Sequence, residues 1–492
     1  MMPRHCLACL GLIAALPFIA AADPVADFAA RFHDETLRVD YYHSGDADEE
    51  AIALDQVYRQ GAWAGSRVHL VDDLDLGNYY GYLYDAETGR LLWSRGFDSY
   101  FGEYRTTGPA AEGVWRTYHE TVLAPCPRRP CEFVLAVRGD DDVLAEIFRA
   151  PIDPDHFAVR REPLRNDVLV VPVHTSGDPH AVVDIAILGE GYTRDQAGKF
   201  EADLRRFAAA MLDHEPYASH ADRFNIWGVL APSQDPGCDE PSRGVGARTA
   251  LGCSFDSFGS ERYLLTENNR ALHDVAAHAP CDALSIMVNH DRYGGGGIYN
   301  FFNTFTTDNQ WSEYVFLHEF GHHFAGLADE YYTSQTAYDE FYPASREPRE
   351  ANITRLLGAS GLKWADLATA GTVVPTPWEK AGYDAMDREY QQTRTAINDR
   401  VAELMRAGAP AGEIAAAKAE GEDLSRSHQE RVDAYFARSR FRGQVGAFEG
   451  AGYCSEGMYR AELDCIMFTK GVKPFCAACR RGILRVIERH GE

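Results

Sequence analysis

Two histidines and a glutamate are spaced as in a hydrolytic metal site. His318 and His322 are four residues apart, and Glu319 directly follows the first histidine. Residues four apart share one face of a helix, so both imidazoles can reach one metal ion while the carboxylate stands beside it. The pattern predicts one catalytic zinc ion, a water activated by that metal, and Glu319 as the general base.

A third protein ligand is expected close to these histidines, because catalytic zinc sites usually take three and leave the fourth position to water. Gly326 is the predicted end of the helix, and Asp329 lies three residues beyond it. This resembles metzincin peptidases, in which a ligand three residues past the helix-ending glycine completes the set, although their glycine comes one residue earlier. Asp329 is therefore the favoured ligand.

Other acidic residues remain open as the third ligand. Glu330 is the neighbour of Asp329, and Glu340 or Glu347 would serve if the chain followed the other large zinc-peptidase plan, whose glutamate ligand lies further downstream. His323 is one step around the helix from His322, so its ring is expected to point elsewhere.

The elements that must position these residues can also be predicted. Apolar residues between Trp311 and Phe324, with Gly326 as the stop, indicate a buried helix. Gly321 costs helix stability, which favours a close packing contact at that point. Far downstream, Cys465-Ile466-Met467 is similar to the tight turn that places a methionine under the zinc of metzincins, with Met467 as that residue.

Taken together, these residues resemble the IgA peptidase family of secreted, metzincin-like zinc metallopeptidases. The resemblance covers nearly the whole mature chain and also rests on segments 37–46, 258–263, 293–297, 326–331 and 475–480. It implies a zinc metalloendopeptidase in which His318, His322 and Asp329 hold the ion and Glu319 catalyses. The substrate would be a protein or peptide, and the family name does not make immunoglobulin that substrate.

Composition limits the cellular setting. The chain has 492 residues, is 45% hydrophobic and carries a net charge of -26, which argues against a nucleic-acid partner. No membrane-spanning apolar run follows the start. A basic start, an apolar segment and Ala20-Ala21-Ala22 predict a signal peptide at residues 1–22, so a secreted or periplasmic protein is expected.

Nine cysteines remain after that segment. In an oxidising compartment, disulfides Cys126–Cys131 and Cys238–Cys253 are expected from proximity, and the odd count leaves at least one thiol without an intrachain partner. Disulfides are also favoured for the last four cysteines, with a structural metal as the alternative because Cys476 and Cys479 have a suitable spacing. Those four are Cys454, Cys465, Cys476 and Cys479.

The predicted fold class is α+β and multidomain, with an N-terminal antiparallel β-sandwich followed by a zincin-type α/β catalytic domain that carries a helical-hairpin insertion. Residues 23–165 form the sandwich, because short alternating segments are separated by turn residues. Those segments include 66–71, 79–84, 91–95 and 132–137. The sandwich is expected to pack on the catalytic unit and stabilise it, with binding of a glycan or a protein as the alternative role.

Residues 166–492 form the predicted catalytic domain. Buried strands are expected at 167–173, 182–188, 224–230 and 284–289, with a capping box at Thr193–Gln196 opening a helix that ends near Leu212. The four glycines Gly294, Gly295, Gly296 and Gly297 would bind substrate at a sheet edge, or form a flexible loop. Two helices, 378–407 and 413–438, are predicted to form a hairpin within an insertion at about 376–440.

The predicted reaction is the hydrolysis of peptide bonds by the metal-activated water. Tyr459 and Tyr453 are candidate hydrogen-bond donors to the oxyanion, with core packing as the plainer role of each. The alternative function is a secreted glycan- or protein-binding protein with a structural or vestigial zinc site. Calcium binding and the oligomeric state have no signal in the sequence.

Overall fold

The computed structural model describes residues 24–333, 342–358 and 361–491. The predicted signal peptide and Glu340 lie outside these described residues. Seven strands and three helices come first in the chain. They are α1 (Pro24–Arg31), β1 (Phe32–Gly45), β2 (Glu50–Arg59), β3 (Tyr79–Asp85), β4 (Leu91–Phe97), α2 (Tyr100–Tyr104), α3 (Gly108–Ala111), β5 (Arg116–Pro127), β6 (Cys131–Arg138) and β7 (Leu144–Ile152).

The N-terminal strands are antiparallel, as predicted. They form two sheets, in the orders β2-β1-β5 and β4-β3-β6-β7. Leu37 and Val39 of the first sheet and Leu83 and Phe133 of the second belong to one buried apolar cluster. The two sheets therefore share a core, which is what alternating apolar positions on facing strands produce.

One predicted N-terminal strand is wrong. Residues 66–71 are irregular, because the Ser66 hydroxyl accepts hydrogen bonds from the backbone N–H groups of Val68 and His69 at 3.2 and 3.1 Å. A serine that binds its own local backbone in this way favours a turn over a strand ladder.

A six-stranded mixed sheet organises the second part of the chain, in the order β14-β15-β13-β9-β10-β8. Its strands are β8 (Leu169–His174), β9 (Val183–Glu190), β10 (Phe224–Leu230), β13 (Ala283–Val288), β14 (Gly295–Ile298) and β15 (Phe302–Thr306). Between β10 and β13 the chain forms a separate two-stranded ribbon, β11 (Cys253–Ser254) and β12 (Leu265–Thr266). The central strands run parallel and the two edge strands antiparallel. Every residue of β9 is buried, as expected for a parallel strand covered on both faces.

Helices cover both faces of this sheet. On one face lie α4 (Ala197–Leu212) and α6 (Ser312–Ala325), and on the other lies α5 (Asn269–Ala276). The predicted capping box is present, with Thr193 and Gln196 exchanging hydrogen bonds ahead of α4. The four strands predicted for this region agree with β8, β9, β10 and β13 to within two residues at each end.

The predicted helical hairpin is also present, as α7 (Lys380–Arg406) and α8 (Ala411–Phe436). Ile397, Val401 and Ala417 form its own small apolar cluster, and the base of the hairpin joins the main core through Tyr383 and Phe436. A small sheet joins β16 (Ile353–Thr354), which precedes the hairpin, to β17 (Phe448–Ala451) and β18 (Cys454–Arg460), which follow it. The last helix is α9 (Ala477–His490).

The expected disulfides are not formed. All nine cysteines from Cys126 to Cys479 carry free thiols, so the predicted bonds Cys126–Cys131 and Cys238–Cys253 are absent from the structure. Over the ranges that the structure covers, no helix combines the length and the apolar character needed to cross a bilayer.

Candidate metal centre

Helix α6 ends where the sequence predicts, and its end directs the next segment back toward the histidines. Gly326 adopts a left-handed conformation with φ of 56°, and its N–H donates to the carbonyl of His322 at 3.0 Å. Glycine is favoured at such a helix end because it has no Cβ to clash. The reversal brings Asp329 alongside the helical turn that carries both histidines.

Three ligand atoms converge at this point. The Nε2 atoms of His318 and His322 are 3.1 Å apart, and Asp329 Oδ1 lies 3.0 Å from the first and 3.2 Å from the second. Tetrahedral zinc with bonds of about 2.0–2.1 Å places neighbouring nitrogen and oxygen ligands about 3.3 Å apart. The donor types and their separations therefore fit one zinc ion.

Each of the three side chains is oriented by a second contact. His318 Nδ1 donates to the carbonyl of Ile466 at 3.0 Å, and His322 Nδ1 donates to the carbonyl of Leu327 at 2.5 Å. Tyr453 donates its hydroxyl proton to Asp329 Oδ2 at 2.5 Å. A carbonyl can only accept, so each imidazole carries a proton on Nδ1 and presents Nε2 as the nitrogen that would bind a metal.

The electrostatics of the cluster favour a bound cation. Burial disfavours charge on both partners, but the imidazoles of His322 and His318 hold the pKa of Asp329 well below its usual range. The Asp329 carboxylate in turn raises the pKa of His322 to about 9, against the effect of burial, so without a metal the Nε2 of His322 also holds a proton, which a bound cation would displace. A buried carboxylate that stays ionised beside two imidazoles is a ready ligand for a divalent cation.

Glu319 is placed next to this cluster and is partly exposed to solvent. Desolvation by the surrounding protein raises its pKa above the ordinary value, while His318 and His322 act in the opposite direction. Its carboxylate makes no hydrogen bond to any residue in the described ranges. It is therefore available to a water molecule or a substrate.

The other candidate ligands lie elsewhere, where the structure describes them. Glu330 points away from the histidines and into a group of three cysteines. The carboxylate of Glu347 accepts from the backbone N–H groups of Arg355 and Leu357, at 3.1 Å each. His323 is buried against the sheet, and its Nδ1 donates to the carbonyl of Ile298 at 3.1 Å. Sequence spacing alone did not separate Asp329 from Glu330.

Met467 lies directly beneath α6. A Cβ on Gly321 would sit 3.2 Å from Met467 Sδ, which accounts for a glycine inside the helix. The backbone N–H of Phe468 donates to the carbonyl of Cys465 at 2.9 Å and closes a turn around the methionine. Because Ile466 in the same turn accepts the hydrogen bond from His318, the turn supports the face of the helix that carries this histidine.

The glycine run forms part of the edge strand β14. A Cβ on Gly297 would meet the carbonyl oxygen of Glu319 at 2.5 Å and the Cβ of His322 at 2.9 Å, and a Cβ on Gly295 would meet Val315 at 2.7 Å. These glycines therefore let the strand approach the helix closely. The interpretation as a flexible loop is wrong, because the segment pairs with β15.

Part of the outer edge of β14 is already in use. The carbonyl of Gly295 accepts from the N–H of Leu264 at 3.1 Å, and the N–H of Gly295 donates to the carbonyl of Arg262 at 3.3 Å. Main-chain groups two residues along a strand face the same side. Gly297 thus directs its N–H and C=O toward the same outer edge, next to α6.

The two predicted tyrosine donors have different environments. Tyr453 contacts Asp329 and lines the cleft, whereas Tyr459 lies in β18, pairs with Thr354 and packs against the main core. Two residues not predicted for the site are also present. Arg262 donates to the hydroxyl of Tyr331 at 3.0 Å, and the Tyr331 ring is nearly parallel to the ring of His318. The sequence pointed to Arg262 and Tyr331 only because they lie in segments 258–263 and 326–331, which carry the family resemblance.

The side chains of His318, His322 and Asp329 open into a cleft of about 650 Å³. One wall comes from the N-terminal sheets and α2, so that region contributes to the site as well as packing against it. Its lining residues include Tyr79, Asp98, Glu103, Arg105 and Arg138. Among described residues that line the cleft, none belongs to the helical hairpin.

A buried histidine, a half-buried histidine and a buried carboxylate, with a free glutamate on the same helical turn, define a site suited to metal-assisted hydrolysis. Comparison with known families agrees with this class. Residues 171–487 match the sequence profile of the family described as IgA Peptidase M64, and residues 27–149 match that of the Peptidase M64 N-terminus. The chain belongs to the M64 peptidase family, which confirms the resemblance and makes the protein a peptidase. No curated protein matches it.

Proposed function

We propose that the protein is a secreted zinc-dependent endopeptidase, with His318, His322 and Asp329 as the zinc ligands and Glu319 as the general base. The observation that carries the proposal is the convergence of three ligand atoms within 3.2 Å of one another beside the free Glu319 carboxylate. Membership of a peptidase family supports the substrate class.

Zinc, when bound, supplies a Lewis acid that lowers the pKa of water and polarises a peptide carbonyl. Glu319 takes the proton from that water and later gives it to the leaving amine. The raised pKa of Glu319, caused by desolvation, suits both roles, because a base that must also act as an acid works best with a pKa near the working pH.

An extended peptide would bind along the outer edge of β14. Gly297 offers its main-chain N–H and C=O there, and the contact of Gly295 with residues 262 and 264 sets one end of the usable edge. This is strand addition, in which main-chain hydrogen bonds give affinity and side-chain pockets give specificity. The N-terminal wall of the cleft would supply those pockets, and residues 1–22 would direct export.

The test compares Glu319→Gln with Glu313→Gln, which changes the same residue type on the first turn of the same helix. Both full-length proteins and the parent are incubated with a denatured protein mixture, with and without a chelator. Mass spectrometry then measures the rate at which new peptide termini form. Glu319→Gln should keep its metal and lose at least about 100-fold in rate, because general-base catalysis contributes 10²–10⁴-fold. Glu313→Gln should stay within about twofold of the parent.

Hydrolysis that survives in Glu319→Gln would remove the base assignment. Hydrolysis that persists in the chelator, with the metal shown to be gone, would remove zinc from the mechanism. The alternative binding function would be favoured if the parent protein holds zinc and cleaves nothing in the mixture, but binds glycans in a separate binding assay.

A further inference from the structure

A second group of metal-ligating side chains lies behind the candidate metal centre. Cys465, Cys476, Cys479 and Glu330 are all buried, and each offers a ligand atom within 4.8 Å of the others. They come from three segments: the one after α6, the turn that holds Met467, and the start of α9, of which the last two are close together in the chain. The family resemblance and the proposed mechanism assign no role to this group.

The separations within the group fit a tetrahedral metal better than a disulfide. The sulfur atoms of Cys465 and Cys479 are 3.9 Å apart, and Glu330 Oε1 lies 3.4 Å from the sulfur of Cys476 and 3.3 Å from that of Cys479. Zinc with bonds of about 2.3 Å to sulfur and 2.0 Å to oxygen would space two sulfurs about 3.8 Å apart and a sulfur and an oxygen about 3.5 Å apart. A disulfide requires about 2.05 Å.

The surroundings of the sulfurs suit thiolates. The sulfur of Cys465 accepts from the backbone N–H groups of Met467 and Cys476 at 3.4 and 3.2 Å, and the sulfur of Cys476 accepts from the N–H of Cys479 at 3.4 Å. Cys476 is also the N-cap of α9, where the helix dipole favours negative charge. Donated N–H groups and a helix N-terminus both stabilise a metal-bound thiolate.

The carboxylate of Glu330 gives an independent sign of a ligand. Glu330 is fully buried, and its Oε2 atom has no hydrogen-bond partner among the described residues. Oε1, the atom that faces the sulfurs, accepts from the Asn352 amide at 3.1 Å, so the buried carboxylate has one neutral donor for its two oxygens. A cation bound to this carboxylate would stabilise its buried charge.

We propose that Cys465, Cys476, Cys479 and Glu330 bind a second zinc ion with a structural role. Four protein ligands close the coordination shell, so this site has no position for water and is distinct from the histidine site. A disulfide between any two of the cysteines would leave the third thiol and the carboxylate without a use, whereas one tetrahedral ion engages all four groups. Cys454, which the sequence grouped with these cysteines, lies outside the cluster and contacts Arg355 at 3.5 Å.

The second ion would hold together the segments that shape the first site. Glu330 adjoins Asp329, and its N–H donates to the carbonyl of Met467 at 2.8 Å. Ile466, next to Cys465, accepts the hydrogen bond that orients His318. Tying Glu330 and Cys465 to α9 would therefore fix both the third ligand and the support of the first histidine.

The test counts metal in the full chain and in three variants by elemental mass spectrometry. The parent should carry two zinc ions. The double variant His318→Ala, His322→Ala should keep one, whose X-ray absorption shows mainly sulfur neighbours at about 2.3 Å. Cys476→Ser with Cys479→Ser should lose the sulfur-bound ion, and the control Cys454→Ser should keep both.

A measurement on the unmodified protein guards against variants that fail to fold. The parent is unfolded in chelator without reductant, alkylated and digested, and the three cysteines should all be alkylated. A disulfide among Cys465, Cys476 and Cys479, or a parent chain in which no zinc has sulfur neighbours by X-ray absorption, would overturn the proposal. Either result leaves the Glu319 test unaffected, so this site and the proposed activity fail separately.

Discussion

Replacing Tyr453 by phenylalanine tests how the third zinc ligand is held. The Tyr453 hydroxyl donates to Asp329 Oδ2 at 2.5 Å, while Oδ1 of the same carboxylate faces the two histidines. The substitution removes one oxygen atom and leaves Oδ2 of a buried carboxylate without that donor. We therefore expect weaker zinc binding at the histidine site, with little change in the fold.

The size of the effect follows from the contact. A hydrogen bond to a charged group contributes about 1.5–3 kcal/mol net, and such bonds are at their strongest when short and buried. Second contacts of this kind typically change metal affinity by about 10–100-fold, which corresponds to about 1.4–2.7 kcal/mol. The two ranges agree, so Tyr453→Phe should raise the zinc dissociation constant about 10–100-fold.

The assay is a competition titration against a chromophoric zinc chelator. The site to be measured is identified as the one lost in the double variant His318→Ala, His322→Ala. Tyr459→Phe is the matched control, because Tyr459 lies in β18 away from the cleft. The zinc dissociation constant of the Tyr459→Phe variant should stay within about twofold of that of the parent. At saturating zinc, the peptidase rate of Tyr453→Phe should recover to within a few-fold of the parent.

The opposite pattern would refute this reasoning. If zinc affinity were unchanged and the rate at saturating zinc fell about 100-fold, the Tyr453 hydroxyl would act on the substrate oxyanion and not on Asp329. Equal losses of affinity in Tyr453→Phe and Tyr459→Phe would show a general packing effect.

Three further predictions concern stability. Gly297→Ala should push β14 away from α6, because the added Cβ would lie 2.5 Å from the Glu319 carbonyl oxygen. Denaturant unfolding should show that the free energy of unfolding falls by about 1–3 kcal/mol. The control Gly412→Ala places its Cβ in open space and should raise that free energy by less than about 1 kcal/mol. Burial and the Asp282 carboxylate raise the pKa of Asp184 to about 7. The native state thus holds this proton more tightly than the unfolded chain, and the free energy of unfolding should fall by up to ~4 kcal/mol as pH rises from about 4 to 7. Asp184→Asn should flatten that slope in thermal unfolding across pH, and an unchanged slope would contradict the assignment. Removing bound zinc with a chelator should lower the melting temperature, because a ligand at 100 times its dissociation constant adds about 2.7 kcal/mol to the free energy of unfolding. An unchanged melting temperature would argue against metal binding by the native state.

Local patterns in the sequence were enough for α4, α6, α7 and α8 and for many of the strands, but not for α5 and α9. His318, Glu319 and His322 lie within two helical turns, so their proximity follows from helix geometry alone. Gly326 as a helix end, the capping box ahead of α4 and the α7–α8 hairpin are likewise set by neighbours in the chain. Residues 66–71 show the limit, since one serine hydroxyl redirected an alternating segment into a turn.

The tertiary structure decided which distant groups meet. Asp329 and Glu330 are adjacent and chemically alike, yet one faces the histidines and the other faces three cysteines. Nothing local separates them, because the choice depends on Met467 and α9 packing beneath α6. The sequence by itself determined the chemistry of a helical turn, since the spacing of its residues is fixed by backbone geometry. Contacts between groups more than a hundred residues apart, such as His318 with Ile466 and Glu330 with Cys476, form only because burial of the core brings their segments together.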